Sequence, residues 1–398
     1  MAEFRSTIYL DSCATSPPRK GVVEAMAEVQ TSAWGNPSSL HHQGVAAAEC
    51  LERARLQIAG ALSASPDDVI FTSGATESVH LALSGLAGEQ KPGRIVISAV
   101  EHPAVVSAAR QLERQGWDLA IWPVDGFGQI RLELLPSLLA PPTRLVSLIW
   151  GQSEVGTLQP VHTVGNACAK RGIPFHTDAT QVLSQGTIDW SSQPATLLTA
   201  SAHKLGGPRG IGCLLTRPHI RRTLTPMQGG GGQEQGLRAG TQPVALIAGF
   251  AEALSQLDRW TPWDGRDRIS PSPAEISRHR DTLLQGLLQD PRLTLTGHPH
   301  RRLPHHISLL ACDQRKEPLS GRALVRELAK RGVALSSGSA CASGKDSGSP
   351  VLAAMGFEPA QQRSGLRLSL GPWIRQEQLA TVCRHVSAAL DHLSSDCS

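Results

Sequence analysis

The stretch Ser201-Ala202-His203-Lys204-Leu205-Gly206-Gly207-Pro208-Arg209-Gly210-Ile211-Gly212 places one lysine between a short apolar run and a turn rich in glycine. The apolar run, residues 195–200, follows Pro194 and has the length and composition of a buried strand. The sequence therefore predicts that Lys204 stands where a strand ends, at the edge of a sheet, with little side-chain bulk beside its amine.

A lysine amine in that position can form a Schiff base with an aldehyde cofactor, of which pyridoxal phosphate is the usual example. Such a cofactor needs an acidic partner for its ring nitrogen and backbone donors for its phosphate. The alternative is a surface lysine in a turn, which is the more common role of a single lysine. The other motifs of the chain decide between these two hypotheses.

Length and composition limit the fold class. The chain has 398 residues, of which 40% are hydrophobic and 18% charged, as in soluble α/β proteins. This length favours one large core with a smaller domain beside it. The composition shifts between Asp258 and Pro273, a segment with two tryptophans and several prolines. We therefore predict a large α/β domain at 15–260 and a small α+β domain formed by 1–14 and 261–398.

Charge and cysteine usage exclude several classes of protein. The net charge is only +4 and no basic run exceeds two residues, so no nucleic-acid partner is expected. No window reaches the ~18 apolar residues of a membrane helix, which predicts a cytoplasmic protein with no membrane partner. The eight cysteines form no C-x-x-C pair, and adjacent histidines such as His41-His42 lack ligand spacing. Neither a disulfide framework nor a metal site is expected.

Strand-like and helix-like stretches alternate through the proposed large domain. The predicted strands are 69–72, 94–98, 119–124, 144–150 and 173–177. Repeated strand-helix units favour a mainly parallel central sheet flanked by helices, with right-handed crossovers. The predicted class is therefore α/β, with a smaller α+β domain.

The turn after the strand 69–72 is a candidate phosphate site. Residues 73–77, Ser-Gly-Ala-Thr-Glu, lead from that strand into a helical stretch expected to begin at Val79. A strand, a turn of small residues and a helix together point backbone N–H groups at an anion. The same residues also fit a simple helix cap by Ser73 or Thr76.

Two strand ends carry further candidates for the cofactor site. Asp178 follows the strand 173–177 and can pair with a protonated ring nitrogen, which improves the ring as an electron sink; a helix N-cap is the alternative. Gln181 can reach the ring hydroxyl. His102 leaves the strand 94–98 at the edge where open α/β sheets bind ligands, and its flat ring can stack on a planar cofactor or be structural.

The stretch 227–241 contains four consecutive glycines, which cannot form the interior of a helix. It fits either a flexible linker or a loop that closely approaches a ligand or a second subunit. Arg238 and Thr241 within it favour the second interpretation.

Two residues near the C-terminus are candidates for chemistry and for substrate binding. Cys341 lies on a loop of small residues, 336–350, where its thiol can move into a cleft and out again; a surface thiol without a function is the alternative. Arg367 is central in the strand-like stretch 364–371 and can bind a carboxylate bidentately. That carboxylate can belong to a substrate or to the protein.

Together these motifs resemble those of the cysteine desulfurases, members of the class V aminotransferase-like family of fold-type I pyridoxal phosphate enzymes. They occur in that family's order and approximate spacing along nearly the whole chain. The motifs are 9–11, 35–39, 72–78, Glu101-His102, 176–181, 201–204, 236–241, 336–341 and 366–371. The lysine motif together with the Ser-Ser-Gly-Ser-Ala-Cys motif is the most specific combination.

The resemblance implies a role for each candidate residue. Pyridoxal 5'-phosphate would be bound covalently to Lys204, paired with Asp178 and stacked on His102. The residues that would hold the phosphate are Ala75, Thr76, Ser201, His203 and, across a homodimer interface, the partner subunit's Thr241. Arg367 and Asn36 would bind the substrate carboxylate. Cys341, on a loop whose length resembles that of the group with a long mobile catalytic loop, would be the nucleophile that forms a persulfide.

One motif departs from the family pattern. Where the family usually has Asn-Asn-Glu-Ile-Gly, residues 152–156 are Gln-Ser-Glu-Val-Gly. Ser153 therefore replaces the asparagine that would hydrogen-bond the ring hydroxyl, and its shorter side chain would bond through water. Cys13 stands where the family often has alanine or serine, and we expect it to pack in the interior.

The resemblance implies removal of sulfur from L-cysteine, which gives L-alanine and a Cys341 persulfide. The persulfide would supply a sulfur acceptor or an iron–sulfur scaffold protein, for cluster or thio-cofactor assembly. His102 would move the proton of the substrate thiol, and electropositive surroundings such as Lys345 would favour the Cys341 thiolate. The alternatives left open are a cysteine or cystine C–S lyase, a selenocysteine lyase and a non-catalytic scaffold for sulfur transfer.

Overall fold

The computed structural model describes residues 7–88, 90–258, 274–338 and 348–395. Thirteen strands lie within these ranges. In chain order they are β1 Ile8–Tyr9, β2 Val69–Thr72, β3 Arg94–Ser98, β4 Asp118–Trp122, β5 Thr143–Ile149, β6 Phe175–Asp178, β7 Leu197–Ser201, β8 Gly212–Thr216, β9 Leu293–Leu295, β10 His306–Ala311, β11 Val333–Ala334, β12 Ser336–Ser337 and β13 Gly365–Ser369.

Seven of these strands form one large sheet in the order β2-β8-β7-β6-β5-β3-β4. The five strands from β7 to β4 are parallel, whereas β8 is antiparallel to both of its neighbours. The prediction of a mainly parallel sheet is confirmed. Strand β8 was not predicted, because its few apolar residues directly follow the glycine-rich turn.

The same described ranges contain fourteen α-helices. They are α1 Lys20–Ser32, α2 His42–Ala61, α3 Ala75–Ala87, α4 Pro103–Arg114, α5 Leu135–Leu138, α6 Val161–Ala169, α7 Thr180–Leu183, α8 Pro218–Arg221, α9 Val244–Ser255, α10 Ala274–Leu287, α11 Gly321–Lys330, α12 Pro350–Ala354, α13 Pro359–Gln362 and α14 Gln376–Ser395. Helix α9 packs against α1 and α2, and α3 packs against α4 and the large sheet. No helix among the described residues is long and apolar enough to cross a bilayer.

Burial explains the composition of the large sheet. Every residue of β2, β6, β7 and β8 is buried, as expected of strands covered on both faces. Strand β6 is unusual because three of its four residues are polar. His176 has its ring nitrogens 2.8 Å from Ser147 Oγ and 2.9 Å from Thr199 Oγ1, and Thr177 donates to a backbone carbonyl. Buried polar residues whose hydrogen bonds are made in this way indicate that a functional site lies at this strand.

A second, smaller group of strands and helices follows in the chain. An antiparallel sheet has the order β12-β13-β10-β9, and β1 pairs in parallel with β11. Helix α14 packs against α10 and α11. The apolar cluster of this part draws on Ile8 and Leu10 and on residues between 283 and 390. The division at 15–260 stays a prediction, and most of the proposed boundary, 259–273, lies outside the described residues.

Candidate active site

Lys204 ends a single 3₁₀ turn, Ala202–Lys204, that follows β7 directly. Its half-buried side chain points its amine at the chain's N-terminal residues: Nζ donates to the carbonyl oxygens of Cys13 and Ala14, at 2.6 and 2.7 Å. The turn requires Gly207, because a Cβ there would lie 2.8 Å from the carbonyl oxygen of Ala202. Lys204 thus stands at a strand end, as the sequence predicts, and a defined pair of acceptors holds its amine.

The segment Asp11–Ser16 crosses the site and contacts several predicted residues. Thr15 Oγ1 lies 3.1 Å from His203 Nδ1, and the Ser16 hydroxyl donates to the carbonyl of Lys204 at 2.9 Å. The Cys13 thiol is buried as expected, with Sγ 3.2 Å from His305 Nε2. Sequence analysis missed the contact of this segment with Lys204, because it is made by the backbone carbonyls of Cys13 and Ala14, which any residue type would offer.

Gln181 lies beside the lysine, and Asp178 ends β6, the strand that pairs with β7. Gln181 Nε2 donates at 3.0 Å to the Cys13 carbonyl, the same oxygen that Lys204 contacts, so the two side chains are neighbours. Asp178 ends β6, is buried, and accepts a hydrogen bond from the Thr180 N–H at 3.0 Å. This hydrogen bond is of the kind that an N-cap residue makes, which was the alternative role of Asp178. The second carboxylate oxygen can still accept from another donor.

The candidate phosphate site is a helix N-terminus against the end of β7. Helix α3 begins at Ala75, four residues earlier than predicted, so Ala75 and Thr76 lie in its first turn, whose N–H groups have no partner within the helix. Gly74 has φ 151°, which favours glycine, and a Cβ there would lie 3.9 Å from Ser201 Oγ. The simple cap by Ser73 or Thr76 is wrong, because the N-cap residue is Gly74 and no side chain caps the helix.

The glycine-rich loop is tied to helices α2 and α3 and, through the Phe71 N–H that donates to Glu234, to strand β2. Glu234 and Gln235 have φ 48° and 57°, and the buried Glu234 carboxylate accepts from both terminal nitrogens of Arg55, at 2.8 and 3.0 Å. Arg238 Nε donates at 2.9 Å to Glu77, in the first turn of α3. These contacts argue against a flexible linker. Thr241, near the end of the loop, is exposed to solvent.

His102 is the N-cap residue of α4 and accepts the Ala104 N–H on Nδ1 at 3.2 Å. This hydrogen bond fixes the ring of His102 at the edge where the parallel strands end. The ring thus caps α4, a structural role, and its face can still stack on a planar cofactor. The adjacent Glu101 is buried; its Oε1 accepts from the Ser98 hydroxyl and the Ile149 N–H, at 2.6 and 2.8 Å. Burial raises the pKa of Glu101 to about 8, although both donors lower it.

The pKa values of one half-buried and one buried histidine, His203 and His176, are lowered. Burial lowers the pKa of His203 to about 4, and the positive charges of Lys204 and Arg209 lower it further. Burial also lowers the pKa of His176 to about 4, against the opposing effect of Asp178. A neutral His203 can donate one N–H to an anion without adding charge.

Arg367, on β13, is 5% exposed and is held by two groups. Nη2 donates to Asp11 Oδ1 at 2.9 Å, and Nη1 donates to the carbonyl of Ser153 at 3.3 Å. Its Nε is buried and has no hydrogen-bond partner among the described residues. The sequence leaves open whether Arg367 binds a carboxylate of the protein or of a substrate. The protein's Asp11 occupies one end of the guanidinium, and Nε remains for a ligand.

Some predicted residues are not brought to this cluster. Asn36 is exposed, and its hydrogen bonds with Ser38 and Ser39 lie within its own loop. Ser153 reaches the cluster through its backbone carbonyl, which Arg367 and His306 contact. Cys341 and Lys345 lie outside the described residues.

The residues near Lys204 fit the cofactor that the sequence predicts. Gln181 Oε1 and Thr180 Oγ1 are buried without a hydrogen-bond partner in the part of the chain that the structure describes. Buried polar atoms are normally paired, so orphaned ones beside an amine and a carboxylate indicate a polar ligand. An amine, an acid and a helix N-terminus suited to an anion match an aldehyde, a pyridine nitrogen and a phosphate.

The raised pKa of Glu101 predicts a pH-dependent stability. A carboxyl group with a pKa of about 8 in the folded state contributes stability below its unfolded pKa of 4.5 and loses it as pH rises through 8. Glu101→Gln keeps the oxygen that accepts from Ser98 and Ile149 and cannot ionise. Between pH 5 and pH 9 we expect the free energy of unfolding of the wild type to fall relative to this variant by up to ~4 kcal/mol.

Urea unfolding at several pH values measures this difference. The control is Glu133→Gln, which neutralises an exposed carboxylate. Parallel pH profiles for the wild type and Glu101→Gln would show that the buried carboxyl is not protonated.

Comparison with known proteins gives one family and consistent relatives. The profile of the family described as aminotransferase class-V matches residues 8–382. The chain is 36% identical over 383 residues to a mitochondrial cysteine desulfurase of Saccharomyces cerevisiae, covering 96% of this chain and 74% of the relative. It is 34% identical over 390 residues to cysteine desulfurase IscS 1 of Archaeoglobus fulgidus, covering 97% and 98%.

Solved structures agree with these relatives. A structure titled NifS-like protein superposes with a TM-score of 0.84 at 29% identity, covering 97% of this chain and all of the other. A structure titled SspA in complex with cysteine gives a TM-score of 0.79 at 30% identity, covering 93% of this chain and all of the other.

Proposed function

The chain belongs to the aminotransferase class-V family and is a cysteine desulfurase that depends on pyridoxal phosphate, and on this basis we propose which of its residues bind the cofactor and substrate and carry out the reaction. The observation that carries the proposal is the position of the Lys204 amine, held after the end of β7 on the Cys13 carbonyl that Gln181 also contacts, while the buried acid of Asp178 ends the adjacent strand β6. The reaction takes sulfur from L-cysteine, releases L-alanine and leaves a persulfide on Cys341.

Pyridoxal phosphate, when bound, supplies an aldehyde carbon that bonds to amines and a ring that withdraws electrons from the substrate's carbon atoms. Lys204 would hold the aldehyde carbon, Asp178 the ring nitrogen and Gln181 the ring hydroxyl. The phosphate would be held by the first turn of α3, at Ala75 and Thr76, with Ser201 and His203. These placements agree with the free N–H groups of α3 and the orphaned Gln181 oxygen.

Arg367 would bind the substrate carboxylate through the Nε that the protein leaves without a partner. The guanidinium is buried and its Asp11 contact fixes its plane, so little rotational freedom is lost on binding. Asn36 and Ser153 remain proposals for the same ligand, Asn36 at the carboxylate and Ser153 at the ring hydroxyl through water. Neither has a described contact that argues for the role.

Three groups of the chain would move protons or electron pairs. Lys204, once free, would take the α-proton of the substrate on Nζ. His102 would take the proton of the substrate thiol on a ring nitrogen. The Cys341 thiolate would attack the substrate sulfur: an S–S bond forms, the C–S bond breaks, and its electron pair stays with the carbon, which a proton converts to the methyl group of alanine.

Product analysis tests the proposal against the alternatives. We expect the protein, incubated with L-cysteine and a thiol reductant, to form alanine and sulfide in equal amounts. A C–S lyase would instead give pyruvate and ammonia and would not need Cys341. Pyruvate without alanine would contradict the proposal; a parallel assay with selenocysteine tests the selenocysteine lyase alternative.

We also propose that the protein is a homodimer in which Thr241 reaches the cofactor phosphate of the partner subunit. Thr241 is exposed, and near Asn36 several apolar side chains face solvent: Trp34 is 67%, Leu40 97% and Val45 45% exposed. A concentrated group of exposed apolar residues is typical of a protein interface. The contacts of Arg238 and Glu234 would hold the loop ready for that interface.

The sulfur acceptor and the location of the protein stay proposals. An acceptor or iron–sulfur scaffold protein follows from the proposed persulfide, whose outer sulfur must be transferred before Cys341 can react again. A cytoplasmic location agrees with the free thiols of the six described cysteines, which are expected in a reducing compartment.

A further inference from the structure

The helix N-terminus proposed to hold the cofactor phosphate carries an acidic side chain of its own. Glu77 lies in the first turn of α3, and its Oε2 accepts the N–H of Ser73 at 2.6 Å. This hydrogen bond orders the turn between β2 and α3. It leaves for an anion the N–H groups of Ala75 and Thr76, which have no partner within the helix. The phosphate would therefore bind within two residues of a carboxylate.

The charge of Glu77 opposes the binding of a phosphate. Partial burial raises the pKa of Glu77, but the hydrogen bonds from Arg238 and Ser73 lower it more, so the pKa lies below its usual value and the group is ionised near pH 7. A phosphate monoester carries a charge between about −1.5 and −2 at that pH. Like charges at a half-buried site repel each other more strongly than in water. The phosphate site therefore needs a positive group beside Glu77.

Arg238, from the glycine-rich loop 227–241, supplies that positive group. Its Nε donates to Glu77 Oε1 at 2.9 Å, while Oε2 of the same carboxylate accepts from Ser73. The side chains of Arg238 and Glu77 are only 25% and 27% exposed, so solvent screens the ion pair in part. Together the two side chains carry no net charge at the start of α3.

The loop holds Arg238 in this position by contacts on both sides of it in the chain. Leu237, the preceding residue, is buried and belongs to the apolar cluster that includes the buried face of α3. After Arg238, Gly240 has φ 105°, which favours glycine, and its N–H donates to Gln233 Oε1 at 3.1 Å. The segment that carries the guanidinium is therefore fixed beside α3.

We propose that Arg238 is a positioning residue for the cofactor phosphate, which neutralises Glu77 so that a doubly charged group can bind at the first turn of α3. In this assignment Glu77 orders the turn through Ser73, and Arg238 cancels the charge that Glu77 brings. Arg238 acts through Glu77 and not by contact with the phosphate. The inference rests on the proposed function, specifically on the phosphate site at the start of α3.

Three variants test the charge argument, because it predicts opposite effects for the two single changes. The measured quantity is the dissociation constant of pyridoxal phosphate for the full-length protein freed of cofactor, from its visible absorption. Arg238→Gln leaves the Glu77 charge uncompensated and should weaken binding ~10-fold. Glu77→Gln keeps an oxygen for the Ser73 N–H and should bind as tightly as the wild type, or up to ~3-fold more tightly. The double variant should return to within ~3-fold of the wild type.

Pyridoxal, which lacks the phosphate, separates charge from structure. Its dissociation constant should change by less than about twofold in all three variants, since the charge effect needs a phosphate. The matched control is Arg110→Gln, which breaks an exposed ion pair with Glu113 on α4, 2.7 Å long, and should leave the binding of both ligands unchanged. Equal weakening of both ligands in Arg238→Gln would overturn the inference. So would a loss in Glu77→Gln as large as that in Arg238→Gln, because both results indicate a purely structural ion pair.

Ser201→Ala separates a failure of this inference from a failure of the proposed phosphate site. Ser201 is one of the residues proposed to hold the phosphate, so its loss should weaken the binding of pyridoxal phosphate severalfold and leave that of pyridoxal as it is. This result together with unchanged binding in Arg238→Gln would defeat the role of Arg238 alone. Unchanged binding of pyridoxal phosphate in both variants would defeat the phosphate site and the inference with it.

Discussion

Replacing Cys341 with alanine is expected to reduce alanine formation from L-cysteine by at least ~1,000-fold, because no other group then accepts the substrate sulfur. The variant should keep the visible absorption of the bound cofactor. It should also still change that absorption when L-cysteine is added, since substrate binding depends on Lys204 and Arg367. Stopped assays that quantify alanine, with spectra recorded before and after substrate, measure both properties.

The matched control for this variant is Cys50→Ala, which removes a half-buried thiol on α2. Its alanine formation should equal that of the wild type. Undiminished turnover in Cys341→Ala would exclude the persulfide route, and pyruvate as the remaining product would favour the C–S lyase.

The position of the lysine follows from local sequence. The apolar run after Pro194 predicts β7, and the glycines after Lys204 predict a turn, so the strand end required no knowledge of the rest of the fold. Asp178 is a similar case, although β6 extends to include it. The start of α3 was predicted four residues late, because Ser, Thr and Glu in a first turn also suit a cap outside the helix.

The acceptors around the lysine could not be predicted in the same way. The contact between Lys204 Nζ and the Cys13 carbonyl joins residues 191 positions apart, and every residue type offers that carbonyl. Asp11 is 356 positions from Arg367. Such pairs are produced by the topology, which places the N-terminal segment next to both β13 and the end of β7.

Buried carboxyl groups are a further limit of sequence analysis. Glu101 and Glu154 each stand in a motif that the resemblance identifies, yet nothing in their sequence spacing indicates that they are buried. Only their burial in the folded chain shows why the pKa of each carboxyl group is raised, to about 8 for Glu101 and to about 7 for Glu154.

Lys204→Ala is expected to lower alanine formation by about 10,000-fold, since one change removes both the covalent attachment of the cofactor and the base for the α-proton. Asp178, Gln181 and the first turn of α3 remain, so the variant should still bind pyridoxal phosphate, more weakly and with altered absorption. Lys204→Arg should behave alike, because a guanidinium stays protonated and cannot bond to the aldehyde carbon.

The linkage itself can be located chemically. Borohydride reduction of the wild type followed by tryptic mass mapping should place the cofactor on the peptide that contains Lys204, and on no peptide of Lys204→Ala. Lys91→Ala, which removes an exposed amine, should retain wild-type activity and labelling. An unmodified Lys204 peptide from wild-type protein supplied with excess pyridoxal phosphate would contradict the assignment, because the two carbonyls at Cys13 and Ala14 would then be the amine's permanent partners.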